Sequence, residues 1–163
     1  MITLEPLRPD HAEAVLAFER ANRAYFARTV PDRGDAYFAA FADRHAALLA
    51  EQAEGTCRFH VVLDAAGLLV GRVNLVDLAG GGAELGYRVA ESAAGRGVAR
   101  AAVAEACRLA ATVYGLTALT AVTTVDNPAS QAVLLRNGFG LDHEFLLDDR
   151  PALAYRRDLA DLR

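Results

Sequence analysis

The spacing of apolar residues divides the first third of the chain into one strand and two helices. Alternation over "ITLEPLRP" predicts a strand, and Ala14, Val15 and Phe18 then recur on one helical face. Asp10 suits the N-cap of that helix, and Gly55 suits the end of the next one. The predicted elements are a strand over 2–9, a helix from Asp10 to about Ala21, a loop from Asn22 to Asp35 and a helix over 36–54.

The rest of the chain contains short apolar runs rich in β-branched residues, with glycines between them. Runs at 57–64 and 68–78 predict a hairpin, and a third run at 83–90 extends it into an antiparallel meander. The predicted elements that follow are a helix to about Tyr114, a strand over 116–125, a helix over 128–138 and two strands over 139–147 and 152–159. This order predicts a single α/β domain over residues 1–163, with a mixed sheet and helices on both faces.

Composition narrows the function classes. The chain is 53% hydrophobic and 23% charged, which is typical of a folded domain, and its net charge of −4 without a dense basic run disfavours nucleic acid as a partner. All 17 basic residues are arginine. Because the chain has no lysine, P-loop and Schiff-base chemistries are excluded.

The remaining reactive residues predict neither a metal site nor a disulfide. Cys57 and Cys107 lack a CxxC spacing, so we interpret them as reduced core residues, and the four histidines show no paired ligand spacing. The N-terminus lacks an apolar signal segment, and the uncharged run 109–125 contains Gly115 and five threonines. We therefore expect a cytoplasmic protein that does not cross a membrane.

Two glycines stand immediately before the helix that ends near Tyr114. The free N–H groups of a first helical turn attract anions, and Gly95 and Gly97 would let a phosphate approach the backbone, with Arg96 and Arg100 adding positive charge. We hypothesise that 95–100 cradles a pyrophosphate; taken alone, an ordinary helix-entry turn is an equal alternative. A nicotinamide site is disfavoured, because the third glycine of GxGxxG is replaced by Arg100 and no suitably spaced acidic residue follows.

A second motif, "DNPASQAVLLRNGFG", places Asn127 as an N-cap, Pro128 at the first helical position and Gly138 at the helix end. With "AGRGVA" at 94–99, the chain resembles the GNAT superfamily of N-acetyltransferases, whose motifs have the forms Q/R-x-x-G-x-G/A and N-x-x-S-x-x-V-L-x-x-x-G-F. The segments "GRVNLVDL" and "AELGYRVAESAAGRGVA" resemble the ribosomal-protein alanine acetyltransferase subgroup (RimJ/RimL-type). Two positions depart from the superfamily: Ala94 replaces Gln or Arg, and Leu134 replaces the tyrosine proposed to protonate the departing thiolate.

The resemblance implies a mostly antiparallel sheet with one splayed parallel strand pair, acetyl-CoA as donor without a metal, and direct attack by a primary amine. It implies that the backbones of Tyr87 and Val89 pair with pantetheine, that Asn127 bonds the same arm, and that Ser130 donates to the leaving thiolate. Glu84 is the implied general base, directly or through water. The pyrophosphate is implied to contact Gly95, Arg96, Gly97, Val98, Ala99 and Arg100. Simpler interpretations are a strand-edge carboxylate for Glu84 and helix capping for Asn127 and Ser130.

For the acceptor, Tyr25, Phe26 and Asn74 are candidate wall residues, although core packing is an alternative for the two aromatics. An α-amine has a pKa near 8, so a larger fraction of it is uncharged at neutral pH than of a lysine side chain. We therefore expect a protein or peptide N-terminus to be the more reactive acceptor. Small amines, antibiotics among them, and a catalytically inactive acyl-CoA-binding module stay open. The resemblance also suggests a homodimer.

Overall fold

Seven strands form one sheet in the order β1-β2-β3-β4-β5-β7-β6, in a computed structural model that describes all residues 1–163. All neighbouring pairs are antiparallel except β4 and β5, which are parallel. The strands are β1 (Thr3–Pro6), β2 (Arg58–Leu63), β3 (Leu69–Ala79), β4 (Gly82–Val89), β5 (Ala118–Thr124), β6 (Gly140–Leu147) and β7 (Arg150–Asp158). The predicted mixed, mostly antiparallel sheet is confirmed.

The helices follow the predicted order with three corrections in the first third of the chain. The first helix has His11 and not Asp10 as its N-cap, because Asp10 lies in a short 3-10 helix, Pro9–His11. They are α1 (Ala12–Ala21), α2 (Arg23–Phe26), α3 (Asp35–Ala39), α4 (Phe41–Glu54), α5 (Val98–Thr112) and α6 (Pro128–Arg136). The loop predicted from Asn22 contains α2, because Phe26 is buried against Phe18 and Ala90 and draws that turn onto the domain. The single helix predicted over 36–54 is interrupted at Ala40, where φ is −106° and ψ is 25°.

Helices cover both faces of the sheet, as predicted. Helix α5 lies on one face, where Val103, Cys107 and Ala110 are buried against strand residues such as Leu85 and Leu119. A smaller cluster on the other face joins the helices α1 and α4 to the strands, and contains Leu7, Val15, Phe41, Cys57, Phe59 and Val61. Both cysteines are free and buried, in agreement with their interpretation as core residues. None of the helices combines the length and the hydropathy that spanning a membrane requires.

The parallel pair β4 and β5 separates part of the way along. Its pairing begins at Gly82 with Ala118 and ends at Leu85 with Ala121. Beyond that point β4 stays paired with β3 up to Val89, whereas β5 stays paired with β7 up to Thr124. The two strands therefore diverge and leave an opening in the middle of the sheet.

Candidate functional site

A cleft of about 710 Å³ passes through the opening between β4 and β5. This volume lies within the range of ordinary ligand sites. Side chains alternate between the two faces of a strand, so the cleft walls come from both faces of the sheet. Tyr87 packs toward the α5 face, whereas Arg88 bonds to Glu19 of α1 on the opposite face. The cleft thus gives two ligands access to one point from opposite sides.

At one end of the cleft, the N-terminus of α5 offers unpaired backbone donors. Gly95 and Gly97 have φ of 74° and 76°, which L side chains rarely adopt, and Gly97 is an N-cap without a side-chain bond. The first intrahelical bond runs from Ala101 N to Gly97 O, so the N–H groups at 98–100 have no backbone partner. Such a turn binds anions.

The side chains of the predicted phosphate loop separate into two groups. Gly95, Gly97, Ala99 and Arg100 line the cleft. The side chain of Val98 packs on the core instead, and Arg96 is exposed outside the cleft walls. The side chain of Val98 is therefore directed away from a ligand there, whereas the Arg96 side chain lies in solvent beside the cleft.

Helix α6 brings Asn127 and Ser130 to the middle of the cleft. The side-chain oxygen of Asn127 accepts a hydrogen bond from the backbone N–H of Ser130 at 3.2 Å, with Pro128 in the first turn, so the predicted capping is confirmed. Gly138, with φ of 81°, follows the end of the helix. The cap leaves the hydroxyl of Ser130 free for another partner.

That partner is Tyr87. Its phenol oxygen lies 3.0 Å from Oγ of Ser130, and both residues line the cleft. Burial raises the pKa of Tyr87, and the hydrogen bond with Ser130 only partly opposes that effect. Sequence reasoning used only the backbone of Tyr87 and missed this contact. The available signal was its alternation with Leu85, which places both side chains on the α5 face.

The backbone of β4 beyond Leu85 presents free polar groups to the opening. The N–H of Ala90 donates to Val70 O at 2.8 Å, on the β3 side. Because hydrogen-bonding residues alternate along an antiparallel strand, Tyr87 and Val89 direct their N–H and C=O groups away from β3. An extended chain in the opening could pair with both.

On the opposite face, only two of the three residues predicted to contact the acceptor line the cleft. Tyr25 and Phe26 line the cleft, with Phe26 also packed against Phe18 at 5.5 Å between ring centroids, so Phe26 serves as both wall and core. Asn74 does not line the cleft, because it lies on β3 opposite Gly86, one strand away from the opening. The structure therefore does not bring Asn74 together with the two aromatics.

Glu84 is also absent from the cleft walls. It pairs with Thr120 within the last closed part of the β4–β5 ladder, two residues before the strands diverge. Its side chain points to the same face as Arg88 because the two positions are four residues apart on one strand. The structure gives no direct contact between Glu84 and the cleft, and its assignment as a general base stays a prediction.

The cleft is rich in arginine, of which the sequence pointed only to Arg100. Its lining arginines are Arg28, Arg88, Arg100, Arg136 and Arg150, and its single lining carboxylate is Asp148. Arg28 and Arg150 are paired with Glu91 at 3.5 Å and Asp126 at 3.1 Å. Arg100 and Arg136 have no ion-pair partner and stand at the α5 end, where an anionic ligand would meet them.

A buried carboxylate anchors the side of the cleft that faces α1. Glu19 is 1% exposed and contacts Arg33, Arg72 and Arg88 at 3.0–3.1 Å, joining α1 to β3, β4 and the loop after α2. Burial alone would raise the pKa of Glu19, but the three guanidinium groups lower it below its ordinary value. Arg88 also lies over the Phe26 ring at 4.6 Å, so the group holds one wall of the cleft in place.

Comparison with known proteins agrees with this architecture. Residues 1–140 match the family described as acetyltransferase (GNAT) domain. No curated protein matches the sequence. Among solved structures, the ribosomal-protein-S5-alanine acetyltransferase from Vibrio fischeri superposes with a TM-score of 0.90 at 18% identity, covering 99% of this chain and 95% of that one.

Two further structures show the same fold bound to ligands. Mycobacterium smegmatis RimJ, in complex with CoA-disulfide, has a TM-score of 0.86 at 23% identity, covering 99% of this chain and 87% of that one. The spermidine N-acetyltransferase from Vibrio cholerae, in complex with CoA and spermine, has a TM-score of 0.82 at 18% identity, covering 99% and 97%. At these identities the likeness establishes the fold, and the predicted fold is confirmed.

Proposed function

Because the chain belongs to the acetyltransferase (GNAT) family, we propose that it transfers the acetyl group of acetyl-CoA to the N-terminal α-amine of a protein or peptide. The observation that carries the proposal is one cleft that joins the unpaired N-terminus of α5 to the opening between β4 and β5. A donor entering from the α5 face and an amine entering from the other face would meet beside Ser130.

The donor side fits a CoA thioester in three places. The N–H groups at the start of α5, together with Arg100 and Arg136, suit the phosphates. The free backbone edge at Tyr87 and Val89 suits the two amides of pantetheine. Ser130 lies farther along the same cleft, where its hydroxyl would stabilise the leaving thiolate.

In the reaction, the neutral amine attacks the thioester carbonyl, and the carbon–sulfur bond breaks to release CoA. Since Glu84 lies outside the cleft walls, we propose that it accepts the ammonium proton through water. Replacing Glu84 with Gln is then expected to lower kcat and leave the KM of acetyl-CoA nearly unchanged. An unchanged kcat would remove Glu84 from the mechanism.

The charge of the cleft supports a peptide N-terminus over a polyamine. A polycationic acceptor needs carboxylates along its path, whereas Asp148 is the single carboxylate among the residues that line this cleft. An α-amine with a pKa near 8 also loses its proton at neutral pH more readily than an alkylamine near 10.4. Small amines of low charge are the second candidate class, because Tyr25 and Phe26 form a wall that accepts apolar groups.

The test compares acceptors in one assay of CoA release from acetyl-CoA. We expect turnover with a hexapeptide that has a free N-terminal alanine, and none with the same peptide already N-acetylated. Spermidine at the same concentration is expected to be a poorer acceptor. Faster turnover with spermidine than with the peptide would overturn the acceptor class, and no turnover with any amine would overturn the transferase activity.

The homodimer suggested by the resemblance stays a prediction. Strand β6 is an edge of the sheet and none of its residues is buried, with Leu146 68% exposed. Such an edge is the place where a second copy of this chain would add its own strand. Light scattering after gel filtration would give twice the mass of 17.3 kDa for that dimer.

A further inference from the structure

The part of the cleft where the CoA thiolate would leave contains two hydroxyl groups, whereas the sequence pointed only to that of Ser130. Oγ of Ser130 on α6 and the phenol oxygen of Tyr87 on β4 are 3.0 Å apart, although the residues are 43 positions apart in the chain. The Ser130 backbone is held by Asn127 at 3.2 Å. Leu134, at the position where many relatives have a tyrosine, is 1% exposed and has no group that could donate a proton.

The chemistry of the two groups sets the direction of their hydrogen bond. A phenol is more acidic than an aliphatic alcohol and is therefore the better donor. Burial raises the pKa of Tyr87, so this phenol keeps its proton throughout the neutral range. When the phenol donates, Oγ of Ser130 is the acceptor, and the hydroxyl proton of Ser130 is free to point into the cleft. Neither hydroxyl has another partner in the protein.

We propose that Tyr87 is the positioning residue for the leaving group: it donates to Ser130 and so directs the Ser130 O–H at the sulfur of the departing CoA. The inference rests on the proposed acetyl transfer. In the step concerned, the amine nitrogen bonds to the carbonyl carbon and the carbon–sulfur bond breaks with its electron pair on sulfur. The Ser130 O–H stabilises that thiolate, which later takes a proton from water, while the proton of the amine leaves through water.

Donation by Tyr87 makes the Ser130 hydroxyl a stronger donor, because hydrogen bonds in a chain polarise one another. It also removes the need to orient the hydroxyl during the reaction. Tyr87 thus supports, through Ser130, a hydrogen bond to the thiolate at a site where the Leu134 side chain can donate none.

The experiment measures CoA release from acetyl-CoA by Tyr87→Phe, Ser130→Ala and the double variant, with the alanine peptide and, in parallel, with water as acceptor. Water is a suitable second acceptor because CoA is the leaving group whichever nucleophile attacks. Each single variant is expected to lower kcat about tenfold, with the KM of acetyl-CoA changed by less than about twofold. The double variant is expected to be no slower than Ser130→Ala alone, because Tyr87 acts through Ser130.

A matched control removes a different hydrogen-bonded tyrosine hydroxyl. Tyr114 bonds to Nε2 of His60 at 2.5 Å and does not line the cleft. Tyr114→Phe is expected to lower the melting temperature slightly and leave kcat unchanged. A comparable loss of kcat in Tyr114→Phe would show that the effect at Tyr87 is structural.

The outcomes distinguish a failure of the role proposed for Tyr87 from a failure of the proposed acetyl transfer. If Ser130→Ala is slow and Tyr87→Phe is as fast as wild type, Tyr87 has no positioning role. If the double variant shows the product of the two single effects, Tyr87 acts independently of Ser130 and the inference is overturned. If the wild type releases no CoA with any nucleophile, the proposed acetyl transfer fails, and the role of Tyr87 fails with it.

Discussion

At the residue scale, the backbone conformation of Gly97 shapes the end of the cleft at the N-terminus of α5. Its φ of 76° turns the chain so that the N–H groups of α5 face outward, and a Cβ added there would meet no atom within 4 Å. Conformation rather than crowding therefore requires glycine at this position. The same holds for Gly95, whose φ is 74°.

Replacing Gly97 with Ala is expected to reduce the free energy of unfolding by about 1 kcal/mol, since alanine is strained at positive φ. The turn should also relax away from its donor geometry, so the KM of acetyl-CoA is expected to rise about tenfold. Both quantities are measured by denaturant unfolding and initial rates.

Gly67 provides the control, because its φ is 82°, a Cβ there also meets no atom within 4 Å, and it lies outside the cleft. Gly67→Ala should cost similar stability and leave the KM of acetyl-CoA unchanged. An equal rise in KM for both variants would show that the turn at 95–97 does not bind the donor.

At the element scale, Glu19 connects α1 to the strands and the loop that surround the acceptor side. If this buried carboxylate lost its charge, the positive charges of its three guanidinium partners would have no counter-charge. Glu19 therefore helps, through Arg33 and Arg88, to hold the loop after α2 and the wall formed by Tyr25 and Phe26.

Replacing Glu19 with Gln is expected to reduce the free energy of unfolding by about 3 kcal/mol at pH 7. The half-buried Glu105, paired with the exposed Arg108 at 2.6 Å, is the matched control, and Glu105→Gln should cost less than about 1 kcal/mol because solvent screens that pair. Denaturant unfolding measures both. Equal costs would contradict the anchoring role of Glu19.

The pH dependence follows from the lowered pKa of Glu19. A carboxyl group whose pKa is lower in the folded state contributes stability above its unfolded value of 4.5, and loses that contribution as the pH falls through the folded value. The stability difference between wild type and Glu19→Gln should thus be constant near neutral pH and shrink below about pH 4.5. A difference that grows on acidification would contradict this sign.

At the scale of the whole molecule, the stability of the domain is expected to depend on whether a ligand occupies the opening between β4 and β5. A ligand that binds only the folded state stabilises it by about 2.7 kcal/mol at 100 times its dissociation constant, which raises the melting temperature of a domain of this size by roughly 5–11 °C. Acetyl-CoA is expected to give such a shift, with NAD and ATP as controls. A shift with NAD or ATP and none with acetyl-CoA would contradict the assignment of the donor.

Local chemistry was enough to predict the elements that carry strong signals. The cap at Asn127, the end of its helix at Gly138 and the start of α5 after Gly97 each depend on neighbours within a few residues, so they could be recognised in the sequence. The first third of the chain was less predictable. There the burial of Phe26 against Ala90, 64 positions later, decided that α2 forms within an expected loop.

The sequence by itself determined the order of the strands and of the longer helices, the absence of lysine chemistry and the residues of the two motifs that carry the family resemblance, because these depend on residue identity and short spacing. Only the tertiary structure decided that Tyr87 meets Ser130, that Glu84 and Asn74 stay outside the cleft, and that three arginines gather on Glu19. These contacts join residues from distant parts of the chain. Their distances depend on strand register and on where β4 and β5 separate, which are properties of the packed sheet.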